Sequence, residues 1–498
     1  MRSQKKLFFL IKSLNPTEKR YFKLYSQRNG KPKSQLYLKL FTLIGRQAKY
    51  DEVALKTHFK DTSFGHSLAF PKSHLYQQLL RALQAFHYEK SSPGRFGSYL
   101  EKVALLAERG FPDQALRIVE KRLKEAIQLQ LCLPVLQLLR WQRRLVLRLQ
   151  SKNYAEIIGL ISDQETHWEG LFLQEQAAIR LHDTLYLALQ AARRKTKAHK
   201  APDLQAKKRA LDLLGSQPTL SFESKIAIWR AQAHYAHLMD DFTAVHFAYQ
   251  QEVKLWQTHP QHLRLNAMRF VRTFGAWLNS KTLIRDYENL LAEIRRLRQQ
   301  KGMGKPEQAL IFRITYALEL FYYLNSNQFA SALQVAPQII AGLKQFASYL
   351  SPGFKLGFYH NLAILHWLGG QAKEAQHWVQ KILHFEPGEV RKDIREFAPL
   401  LEKILYWERG HLAPLESWFR ALQYQRRKGS PPKPLESILF RLIRKLPEQS
   451  PHASAAHLYT RFLTELAQYA EQAEVSKLGL EELKIWALAQ NSQPRLNT

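Results

Sequence analysis

Cysteine is almost absent. The 498-residue chain contains one, Cys132, which excludes an intramolecular disulfide and fits a reducing compartment, where a lone thiol packs as a small core residue. Metal sites need several ligands that converge, and the chain has no CxxC and no HExxH. His234 and His237 lie one turn apart, but local spacing places no carboxylate beside them, so they read as ordinary helix-face histidines. A glycine-rich phosphate loop is also missing: Lys301, Gly302, Met303, Gly304 and Lys305 lead into Pro306 and Glu307, not into a Ser or Thr that opens a helix after a strand. With no nucleophile elbow and 19 scattered histidines, covalent catalysis has no support, and neither an enzyme nor a bound cofactor or metal is expected.

Long apolar runs are lacking too. The start, MRSQKKLFFLIKSLN, is basic, but its apolar run covers only Leu7 to Ile11 before Lys12 interrupts it. That is too short for a signal peptide or a membrane span, and no uncharged apolar stretch approaches 18 residues, so a soluble cytoplasmic protein with no membrane partner is expected. Nor is there a run of alternating strand residues, which leaves an all-α chain.

Acid is scarce. Aspartate and glutamate number 42 against 74 lysines and arginines, giving a net charge of +32 and an isoelectric point near 10.0. So strong a positive potential attracts polyanions, of which nucleic acid is the commonest. Hydrophobic residues make up 45%, enough for an ample core; length alone suggests about two to four domains, although one continuous helical array would use it all.

Residues 1 to about 95 form a more basic segment: the first hundred residues hold 19 lysines and arginines and 5 acids, +14 of the +32. A first helix is expected over about Gln4 to Ser13. A second starts at Asn15 as cap, with Pro16 in the first turn and Glu18 three residues on from the cap; Tyr21, Leu24 and Tyr25 mark its buried face, while Lys19, Arg20 and Lys23 remain for solvent or phosphate. A basic turn with Lys31 and Lys33 precedes a third helix from Ser34 to about Arg46, with Leu36, Leu40 and Leu43 periodic. A short helix, Asp51 to Phe59, then a turn with Gly65 and a long helix from Pro71 to about Tyr88 carrying Lys72, Ser73, His74, Gln77, Gln78 and Arg81, follow. Short helix, turn and longer polar helix suit a helix-turn-helix, but the turn is far longer than that motif uses; a plain helical cap on the repeats that follow is the simpler interpretation.

The stretch from Phe354 to Pro387 reads as a helical hairpin. Its first helix carries Phe358, Leu362, Ile364 and Leu365 toward a core and stops at Gly369 and Gly370; its second runs from Ala372 to about His384 with Ala375, Val379 and Ile382 inward, and Pro387 closes it. Tyr359, Leu362, Ala363, Gly370, Ala375 and Pro387 resemble a tetratricopeptide repeat, with His366 and Ile382 departing from the usual apolar or aromatic residue and alanine. Similar turns recur at Gly110, Lys152, Asp240, Asn327 and Gly410, with a degenerate one near Ser280, spaced at about 40 to 44 residues once the doubled gaps are each taken to hide a unit. The resemblance implies a right-handed superhelical α-solenoid of tetratricopeptide-like hairpins over 96–488, behind the basic helical domain of 1–95 and before a disordered tail, 489–498.

Basic clusters interrupt or decorate this array. Between 193 and 209, Arg193, Arg194, Lys195, Lys197, Lys200, Lys207, Lys208 and Arg209 meet one acid, Asp203. Arg140, Arg144 and Arg148 repeat every four residues, one ridge of guanidinium groups, with Arg143 beside it. Arg295, Arg296, Arg298, Lys301 and Lys305 mark a helix end, and Arg426 to Pro434 forms a stiff basic linker. Each cluster suits either a solvated face or phosphate contacts. The function expected is a non-enzymatic helical-repeat protein that binds nucleic acid, RNA or a ribonucleoprotein before a specific DNA site, through backbone phosphates. Two alternatives stand beside it: a scaffold for an acidic peptide or partner, with His360 and Trp367 near groove positions that the repeat resemblance implies, and a helix-turn-helix DNA regulator with a repeat-built sensor domain.

Overall fold

A computed structural model describes residues 6–28, 34–47, 50–65, 67–87, 92–150, 153–194, 203–300, 303–386, 390–429, 433–446, 456–471 and 478–492, with the backbone alone at 28, 34, 87, 92–95, 193–194, 426 and 492. Among these residues the chain forms 24 helices and no strand. It packs as two units, 1–290 and 291–498.

The first unit opens with α1 (Lys6–Ser13), α2 (Pro16–Arg28), α3 (Ser34–Arg46), α4 (Glu52–His58) and α5 (Ala69–His87). The capping box expected at α2 is formed: Glu18 N donates to Asn15 Oδ1 at 2.8 Å and Asn15 N to Glu18 Oε2 at 2.9 Å, answering two amides that the helix leaves unpaired, a contribution of about 1 kcal/mol. Ile11, Phe22, Leu40, Ile44, Leu55, Phe59, Leu75 and Leu79 close one core among the five helices. Leu24, expected inward, is 53% exposed, and Phe22 and Ser26 are buried instead; α2 turns that side to α3 and α5. Lys12 Nζ donates to Gly45 O at 2.8 Å, a cation answering the carbonyl end of α3.

The same unit continues with α6 (Ser92–Glu108), α7 (Pro112–Gln128), α8 (Cys132–Leu149), α9 (Tyr154–Arg194), α10 (Leu204–Gly215), α11 (Phe222–Leu238), α12 (Phe242–Thr258), α13 (Pro260–Leu265) and α14 (Ala267–Leu283). The turns expected at Gly110 and Asp240 take left-handed backbone, φ +85 and +55. Lys152 lies outside the described residues; Gln150, just before it, is left-handed. The unit expected in the gap that follows would turn near its middle, at about 196, and 195–202 lie outside the described residues. Before them runs a single helix of 41 residues, α9, about 60 Å long, because no proline interrupts it and both internal glycines, Gly159 and Gly170, stay helical. Its first part packs on α8 and its later part on α10 and α11, so one helix serves two neighbours. The degenerate turn placed near Ser280 falls at Arg285, φ +56.

The second unit begins within α15 (Leu290–Arg298) and holds α16 (Lys305–Asn325), α17 (Phe329–Gln345), α18 (Pro352–Leu368), α19 (Ala372–Leu383), α20 (Lys392–Glu408), α21 (Leu412–Arg427), α22 (Pro434–Lys445), α23 (Ala456–Ala470) and α24 (Leu480–Ser492). The α16/α17, α18/α19 and α20/α21 hairpins turn at Asn327, Gly370 and Gly410, with φ of +55, +74 and +67, positions the sequence marked. First helices also pack on one another, α16 on α18, α18 on α20 and α20 on α22. In the best-matched hairpin Leu362, Ala363, Ala375, Val379 and Ile382 are buried, and His366 is accommodated by a 2.7 Å bond between its Nδ1 and Gln371 Oε1. Pro387 lies outside the described residues. The chain then returns: α24 packs on α18, and Gly479, at φ +84, leaves room where a Cβ would sit 2.1 Å from the Phe397 ring. Part of the segment expected as tail is therefore helix, to Ser492; 493–498 are outside the described residues.

Candidate nucleic-acid interface

Charge is distributed very unevenly. The first fifty residues carry 13 lysines and arginines and a single acid, Glu18, whose carboxylate is engaged in the α2 capping box. On α2, Arg20 and Lys23 are exposed and Lys19 is half-buried, and none has an acidic partner among the described residues. Lys39 on α3 is likewise exposed. Sequence reasoning did not single it out, because only the packing of α3 on α2 sets which side of α3 adjoins the α2 cations. Lys31 and Lys33 lie outside the described residues.

Other cations are internal fasteners. Lys72 Nζ donates to Glu52 Oε1 at 2.9 Å and to Tyr50 Oη at 3.2 Å. Burial lowers its pKa, but the Glu52 and Tyr50 bonds outweigh that and raise it overall, so this lysine stays charged and pins the start of α4 to α5. Arg81, on the outer side of α5 with Ser73 and Gln77, is exposed.

On α8 the expected ridge divides. Arg140 and Arg144 point to solvent, with Arg144 5.5 Å from the Trp141 ring centroid. Arg148 instead donates to Ala107 O at 2.7 Å and ties α8 to α6, while Arg143 binds Ser162 and Glu165 on α9. In the 193–209 cluster, Lys195, Lys197 and Lys200 lie outside the described residues, and Arg193 and Arg194 end α9, described by backbone alone. Lys207, Lys208 and Arg209 belong to α10, where Lys208 pairs with Asp212 at 2.7 Å. Arg298 is occupied as well, with Nη2 2.6 Å from Glu319 and Nε 2.9 Å from Thr315.

The two residues placed near a partner groove are core residues. His360 is buried against the Phe397 ring at 5.8 Å, and burial, then Arg391, lowers its pKa to about 4, with Asp393 opposing. Trp367 is buried too; its Nε1 and that of Trp486 donate to Glu408 Oε1 at 3.3 and 2.8 Å. Hairpin spacing identified their helix correctly, but α20 and α24 cover the side on which a partner would have met them.

Among the described residues no three His, Cys, Asp or Glu side chains gather as a metal site, and no helix is long and apolar enough to cross a membrane. Cys132 is buried; burial, then the adjacent Glu175, pushes its thiol up to about 12, which makes it a poor nucleophile. The chain matches no family model and no curated protein.

Proposed function

We propose that this protein is a non-enzymatic helical-repeat protein, built of tetratricopeptide-like hairpins, that binds nucleic acid through its phosphates. The observation that carries this is the exposed cations of α2 and α3, Arg20, Lys23 and Lys39, with no acid set against them among the described residues, and with the one acid of the first fifty residues engaged in a helix cap. Cations engaged in ion pairs give up little on meeting a phosphate, whereas unpaired ones release the phosphate's counterions in full. Arg140 and Arg144 add a second exposed pair on α8. RNA is favoured over a specific DNA site because these contacts address backbone charge and not base edges.

The competing DNA-reading function draws on one feature of its own, the outward row of Phe70, Ser73, Gln77 and Arg81 on α5. It requires affinity that depends on base sequence. The acidic-partner function draws on the same cations and has lost its two groove residues to the core. Titration of the full chain with labelled oligonucleotides at several salt concentrations decides between them. If three α2/α3 cations and the Arg140/Arg144 pair each meet a phosphate of a single strand, log affinity falls with log salt with a slope of about −3.5. Arg20→Glu with Lys23→Glu is expected to weaken binding by at least about tenfold at near-physiological salt. A flat salt response, or an affinity that charge reversal leaves unchanged, refutes phosphate binding by this face.

A further inference from the structure

We infer that the concavity between α2 and α3 seats an unstacked nucleotide, which makes single-stranded nucleic acid the ligand of the basic face. The inference rests on the nucleic-acid function proposed above and adds the strand state and the residues that read it. Lys23 and Gln27 from α2 and Leu38, Lys39 and Thr42 from α3 line an open space of about 320 Å³, within the range of about 300–1,000 Å³ that takes a small organic group. Its chemistry has two parts. Leu38 and the aliphatic stems of the lysines and glutamine make an apolar floor suited to the face of a base, and the ammonium groups of Lys23 and Lys39 stand on opposite helices, suited to the phosphate joined to that base. Thr42 Oγ1 already donates to Leu38 O at 2.8 Å, so towards a base edge it can only accept, whereas the Gln27 amide can both donate and accept.

A duplex has nothing to put there, since its bases are stacked and paired and only its phosphate ridge meets a protein surface; a single strand splays bases out at small cost. The contrasting hollow in the second unit, between α22 and α23, shares the apolar lining, with Ile438, Leu442, Leu458 and Phe462, but differs in size and in how its arginines are held. It holds only about 20 Å³, and two of its cations, Arg441 and Arg461, are bound to Glu465 at 2.6 and 2.9 Å.

The test uses the full chain, an unstructured oligonucleotide and a blunt duplex with the same number of phosphates, and fluorescence anisotropy at matched salt. The wild type is expected to bind the single strand more tightly by about tenfold. Gln27→Trp, an exposed replacement that fills the concavity without touching the core, should bring that ratio close to one. Lys23→Ala with Lys39→Ala should make the single-strand salt slope shallower by about 1.4, circular dichroism confirming that both variants keep their helix. Equal wild-type affinity for strand and duplex, or a ratio that Gln27→Trp leaves intact, overturns the nucleotide seat and spares phosphate binding. Anionic phospholipid vesicles that displace the oligonucleotide at equal phosphate would reassign the two lysines to a lipid headgroup and overturn it as well. Binding of neither nucleic acid overturns the seat together with the function on which it rests.

Discussion

Lys72 and Lys23 both lie on helices of the N-terminal module, yet their surroundings separate them. Lys72 is held by Glu52 and Tyr50, so Lys72→Ala should destabilise the protein by about 1–2 kcal/mol through loss of a charge-assisted bond, seen as a lower urea midpoint, while the salt slope of nucleic-acid binding stays as in the wild type. Histidines supply a second residue-scale effect. His262 is stacked on Phe222 with ring centroids 3.7 Å apart, and neither of its ring nitrogens has a hydrogen-bond partner. Burial lowers its pKa to about 4, with Glu223 opposing and His259 and Arg269 adding to the shift; His360 is lowered to a similar value. Below the ordinary histidine value of about 6.5 the unfolded chain binds protons that the folded one refuses. Stability is therefore full above that pH and is lost as pH falls toward 4, by roughly 3 kcal/mol per histidine at the lower end. Melting temperatures measured between pH 7 and pH 4.5 should fall, and His262→Phe, which keeps the stack and removes the titrating group, should flatten that fall. Unchanged pH dependence in that variant would show that other groups govern acid stability.

Helix α9 is the longest of the described helices. Its 41 residues, 154–194, contain no proline, and Gly159 and Gly170 sit at exposed helical positions. A Cβ added at either glycine meets no atom within 4 Å. Gly170→Ala is accordingly expected to stabilise the protein by about 0.5–1 kcal/mol, since glycine costs that much in a helix interior. Chemical denaturation checks it; a destabilised variant would show that the helix bends or breaks there. Gly370 is the opposite case, left-handed at φ +74, where the hairpin depends on the missing Cβ.

At the scale of the whole molecule the excess charge dominates. A net +32 repels itself within a folded chain, so salt or a bound polyanion should raise the melting temperature, by mass action in the case of a ligand that binds only the folded state. Thermal melts at low salt, with and without a single-stranded oligonucleotide, are expected to differ by several degrees; equal melts would mean that the charge is dispersed too thinly to bind.

What the sequence determined by itself was local. Helix starts such as Asn15–Pro16–Glu18, turns at Gly110, Asp240, Asn327, Gly370 and Gly410, and the inward stripe of Ala375, Val379 and Ile382 are set by backbone freedom and 3.6-residue spacing, which operate within a few residues and so can be read along the chain. The tertiary structure alone decided which charges are available. Arg148 and Lys72 look on the page like Arg140 and Lys23, but Ala107 O lies 41 residues from Arg148 and Glu52 20 residues from Lys72, and only packing brings those partners within reach. The same holds for Trp367 and His360, covered by α24 and α20, and for Lys39, which faces the α2 concavity because α3 packs where it does. Pairing and burial depend on neighbours distant in sequence, and no local period encodes them.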